Sequence, residues 1–138
     1  MLKTTRWAGV VAALALLTGT GPARAHGDAA HVPIKASHGG QLQEAGNWRL
    51  ELVQKQDAAG NTLLVYVTDH DGKPVASVGL SGTATILAGK EKQTAALKPD
   101  GENRLKGFAR YDLNASPKVV VAVSGGGKTE QARFTPAP

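Results

Sequence analysis

The chain has 138 residues, 16 basic and 11 acidic, for a formal charge of +5, and it contains no cysteine. That excludes a disulfide framework and any thiolate metal site. The basic excess is also too small and too dispersed for a nucleic-acid face, and the aromatic residues are scattered.

The first 25 residues read as a cleavable export signal. Lys3 and Arg6 give a positive start, Trp7 to Leu17 an apolar run, and Gly19, Gly21 and Pro22 a break before Ala23-Arg24-Ala25. Small residues at the two positions a signal peptidase reads predict cleavage after Ala25. The apolar run of about 11 residues is short of the roughly 20 a spanning helix needs. No Cys lies near the cleavage point, and the paired arginines of a twin-arginine signal are missing. The expectation is a periplasmic protein with no membrane insertion after cleavage. Lys3, Arg6 and Arg24 leave with the signal, so 13 basic and 11 acidic residues remain and the charge falls to +2.

About 113 residues then form one domain. Residues 26–46 show no period and predict a flexible tail containing histidines, with a turn at Gly39-Gly40. The domain is expected over 47–138. In Asn47 to Val53, Trp48, Leu50 and Leu52 alternate with Arg49, Glu51 and Val53, predicting a strand with one apolar face. After a turn at 57–61, Thr62 to Asp69 is apolar on both faces, predicting a central strand. Asp71-Gly72 carries the next turn, and Pro74 suits a strand start or an edge. Further strands are predicted at 82–88, 92–98, 104–113, 118–124 and 128–134, the last closing a hairpin after Gly125-Gly126-Gly127. The spacing predicts an all-β fold, an antiparallel, immunoglobulin-like β-sandwich of seven to eight short strands.

Four histidines carry the functional signal: His26, His31, His38 and His70. With cleavage after Ala25, His26 becomes the first residue, and its free amine and imidazole can chelate one metal. His31, His38 or His70 could add a nitrogen, and Asp28, Asp69 and Asp71 are available oxygen ligands. The other reading of this cluster is a tail without function, since ordering it costs entropy. Asp69-His70-Asp71-Gly72 can bind a divalent cation or simply make a hairpin turn, with Asp capping N–H groups and Gly at positive φ. His38-Gly39-Gly40 either presents an exposed ring at the domain edge or is ordinary linker. Met1 is the only methionine, so soft Cu(I) chemistry is disfavoured. Cu(II) or Zn(II), and then Ni or Co, fit nitrogen and oxygen ligands. Affinity should fall as pH drops through about 6.5, because neutral imidazole is the ligand.

No catalytic or organic-cofactor residues are expected. Ser81 and Ser124 lack the nucleophile-elbow frame, and Gly125-Gly126-Gly127-Lys128-Thr129 lacks the upstream glycine of a phosphate loop.

The stretches HGGQLQEAGNWRLELV, LLVYVTDHDGKPV and KTEQARF, within residues 38–134, resemble small periplasmic proteins of heavy-metal-resistant bacteria. They are also similar to the matching module in adaptor subunits of heavy-metal efflux pumps. The Asp-x-Asp-Gly-Lys-Pro-Val run is similar to YtkA-like and FixH-like immunoglobulin-type domains. The resemblance implies a periplasmic metal-handling role, with His38 and His70 at matching positions and a heavy-metal efflux complex as the partner. The alternative is a metal-free envelope interaction module, and a third option is a surface enzyme.

Overall fold

The computed structural model describes residues 35–135. Eight strands run in chain order: β1 (Gln41–Ala45), β2 (Trp48–Asp57), β3 (Gly60–Asp69), β4 (Ser81–Ala88), β5 (Glu91–Pro99), β6 (Arg104–Ala109), β7 (Lys118–Gly125) and β8 (Lys128–Phe134). All pairings are antiparallel, in the order β1-β2-β3-β6-β5-β4-β7-β8. The described residues form an all-β antiparallel sandwich of eight strands.

One strand joins its two layers. Gly82 to Ala88 of β4 pair with β5 from Leu97 back to Glu91, whereas Lys98 and Pro99 at the end of β5 pair with β6. The sheet thereby folds over on itself and approaches closure. At the open side Gln41 Nε2 donates to the Thr135 carbonyl at 2.9 Å, next to the end of β8.

Alternation fills the interior. Leu50, Leu52, Leu63, Val65, Val67 and Leu105 from one layer meet Ile86, Leu97, Val119, Val121, Val123 and Phe134 from the other, all nearly inaccessible. Each such side chain contributes about 1.5–3 kcal/mol by leaving water. β3 lies between β2 and β6, as its two apolar faces predict. Leu63, Val65 and Val67 enter the core, and Leu64 is buried on the opposite face.

Two boundaries differ from the pattern. β1 occupies Gln41–Ala45, inside the stretch expected to be tail, so the sheet begins before residue 47. It is a short edge strand in which only Ala45 is buried, and polar edge strands carry little periodic signal. β6 ends at Ala109 instead of continuing to 113. Tyr111 leaves the ladder to bury its ring, its hydroxyl donating to Gln54 Oε1 at 2.6 Å, and burial pushes its pKa up to about 12. Asp112 then caps a 3-10 turn at Leu113–Ala115, its side chain accepting from the Asn114 N–H. The Gly125-Gly126-Gly127 hairpin and the edge position of Pro74, bridged to Thr68, are as expected.

Candidate functional site

On the outer face of the first layer, register places four side chains in one line across four strands. Leu42 of β1 pairs with Glu51 of β2, Glu51 with Tyr66 of β3, and Tyr66 with Arg104 of β6. Alternation alone would leave this face to solvent. Instead Glu51 is only 4 % exposed, because residues 35–40 lie across it as a strap.

The strap is fastened to one carboxylate. Glu51 Oε1 accepts the backbone N–H of His38 at 2.7 Å and that of Gly40 at 3.1 Å. Glu51 Oε2 takes His38 Nδ1 at 2.9 Å. Burial pushes the Glu51 carboxyl up, but the His38 ring and the two backbone N–H groups outweigh it and hold the carboxyl below its ordinary range. The His38 ring also stacks flat on Tyr66, with centroids 3.5 Å apart and planes 5° from parallel. Gly40 makes this approach possible, since a Cβ there would collide with the Leu52 carbonyl and Val53 Cγ2.

An ionised carboxylate only accepts hydrogen bonds, so Nδ1 of His38 carries the proton. In the neutral ring Nε2 is then the lone-pair nitrogen. Among the described residues Nε2 has no hydrogen-bond partner, and the side chain is 42 % exposed. His38 and Glu51 border a recess of about 60 Å³, together with Lys35 and Ser37 of the strap and Leu42, Tyr66, Thr68 and Gly72. That admits a small ion with a water, and is far below the roughly 300 Å³ of the smallest organic-ligand pockets. At the far end of the row, the Arg104 guanidinium lies 6.0 Å from the Tyr66 centroid and is paired with Asp100 at 2.9 Å.

His70 is placed differently. Its Nε2 lies 2.9 Å from the Gly46 carbonyl. A carbonyl only accepts, so Nε2 carries the proton and Nδ1 the lone pair. Its own carbonyl takes Arg49 Nη1 at 2.6 Å. Asp69 turns inward, its Oδ1 accepting the N–H groups of Asp71 and Lys73, both at 2.9 Å, and Gly72 adopts φ +80°. These are the features of the hairpin-turn reading. Asp71 is exposed on the same turn.

The structure therefore joins His38 to Glu51 and Tyr66, and seats His70, Asp69 and Asp71 in the turn between β3 and the Pro74 bridge. His26 and His31 lie outside the described residues. Among the described residues no three His, Asp or Glu side chains converge as a ready metal cluster. Sequence reasoning missed Glu51 and Tyr66. The alternation of WRLELV assigns Glu51 an outward position, but nothing local signals that a segment 13 residues upstream covers it.

Compared with family models, curated proteins and solved structures, the chain matches none.

Proposed function

We propose that this is an exported, non-enzymatic protein that binds a divalent transition metal, Cu(II) or Zn(II) foremost. It would buffer the ion in the periplasm or hand it to an efflux or resistance system. The observation that carries this reading is His38, with one ring nitrogen fixed on a buried carboxylate and the other without a hydrogen-bond partner among the described residues, on a half-exposed ring that borders a small recess. Metal-ligating histidines characteristically donate their second N–H to a carboxylate or carbonyl in this way. The export signal, the other histidines and the resemblance of residues 38–134 to heavy-metal-resistance proteins agree with it. His38 supplies one nitrogen. His31 is 7 residues upstream and His26 is 12.

Isothermal titration of the purified protein with Cu(II), Zn(II), Ni(II) and Co(II) tests the reading. Expected is saturable binding of at least one ion that weakens strongly in His38→Ala. No ion bound more tightly than roughly millimolar sinks it. In the rival reading, a metal-free envelope interaction module, the working surface is the outer face of the second layer. A shallow groove of about 500 Å³ runs there past Thr85, Leu87, Val120 and Arg133, with Leu87 45 % exposed. Under that reading metal leaves the melting temperature unchanged. A tight ligand instead raises stability by RT ln(1 + [L]/Kd).

A further inference from the structure

We infer that Glu51 is the positioning residue of this site: it sets the tautomer of His38 and thereby reserves Nε2 as the metal-ligand atom. The part about the ligand atom rests on the metal-binding reading above, whereas the part about the tautomer stands without it.

A free histidine side chain favours the proton on Nε2, which leaves Nδ1 as the lone-pair nitrogen. Here the Glu51 carboxylate lies 2.9 Å from Nδ1 and cannot donate, so the preference is reversed. The carboxylate is itself held in place. Its other oxygen takes two backbone N–H groups, it is nearly inaccessible, and it stands in register between Leu42 and Tyr66. Stacking on Tyr66 fixes the ring plane, so the direction of the Nε2 lone pair is set as well. Only torsions already held by packing and hydrogen bonds define the ligand, so little ordering entropy remains for metal capture to overcome. His70 provides an internal contrast, because its carbonyl partner dictates the opposite tautomer.

Glu51→Gln isolates this role. The glutamine oxygen can keep both backbone N–H groups of the strap. Its amide nitrogen then falls where Oε2 was and donates to Nδ1. That forces the His38 proton onto Nε2 and removes the lone pair from the exposed side, while the strap stays docked.

The experiment is two-bond 1H–15N correlation on the metal-free protein, wild type and Glu51→Gln, followed by Zn(II) titration of both. Expected in the wild type are an Nδ1–H tautomer at His38 and an Nε2–H tautomer at His70. In the variant His38 switches and His70 does not, and Zn(II) affinity falls roughly 10–100-fold. Wild-type His38 in the Nε2–H form, or as an even mixture, overturns the inference, as does an unswitched His38 in a folded variant. A switched tautomer with unchanged Zn(II) affinity overturns the assignment of Nε2 as ligand. If the wild type shows the expected tautomers but binds no metal, the functional reading falls and the control of the tautomer by Glu51 stands. Should the variant fail to fold, the wild-type tautomer decides.

Discussion

His38 and His70 are the same residue type, and each has one ring nitrogen tied to a fixed acceptor. What surrounds the acceptor separates them. At His38 it is a buried carboxylate that also fastens the strap through two backbone N–H groups. At His70 it is the Gly46 carbonyl of the β1–β2 turn, at an exposed site, and the shape of His70's own turn is already set by Asp69 and Gly72. A histidine on a buried charge is part of the fold's support and presents a directed nitrogen. A histidine on a turn carbonyl decorates structure that other residues determine.

The largest effect should follow removal of the acceptor at the first site. Glu51→Ala leaves the N–H groups of His38 and Gly40 and the His38 ring without their partner. Charge-assisted hydrogen bonds contribute more than neutral ones, but the strap can lift and rehydrate. A loss of about 2–4 kcal/mol in urea unfolding is expected. A loss below about 0.5 kcal/mol would show that the strap adds nothing to the fold and would erase the contrast with His70.

Acid should act on the same group. The folded Glu51 carboxyl lies below its ordinary value of 4.5, so the ionised form is favoured in the native state. Its contribution is complete above the unfolded value and is lost as pH falls from about 4.5 through the lower folded value. Stability measured between pH 6 and pH 3 should therefore fall less steeply in Glu51→Gln than in the wild type. Equal slopes would break the assignment of Glu51 as the strap's charged anchor.

How far these two sites were legible in the sequence follows the same division. The turn at Asp69 to Gly72 was readable because Asx capping and positive φ are local chemistry, settled within four residues. The strands were readable because apolar residues at every second position, as at Leu63, Val65 and Val67, mark the buried face. The His38 site was not, because it depends on register: Leu42 opposite Glu51, and Glu51 opposite Tyr66. Alternation says that Glu51 points outward and is silent on what lies above it. The same limit hid β1, whose polar edge residues are ordered by pairing with β2. In the sequence His38 clusters with His26 and His31 while His70 falls in a predicted turn by itself, and the fold adds what clustering could not, that His38 alone of the two rests on a buried carboxylate.

Within the turn, the smaller effects should rank Asp69 above His70. Asp69→Ala removes the acceptor for the Asp71 and Lys73 N–H groups, and a loss of about 1 kcal/mol is expected, typical of a lost cap.

His70→Ala should be the mildest change. It removes one hydrogen bond to the Gly46 carbonyl at an exposed site, where water can replace the donor. The bond from Arg49 is to the His70 backbone carbonyl and survives the substitution. The net loss should stay within about 0.5 kcal/mol. In combination with Glu51→Gln the two losses should add, because the two sites share no hydrogen-bond partner. Urea unfolding of the two single variants and the double variant measures this directly. A non-additive term above about 0.5 kcal/mol would mean that the strap and the turn, which meet at the recess through His38 and Gly72, respond as one unit. The two histidines would then have to be treated as parts of a single site.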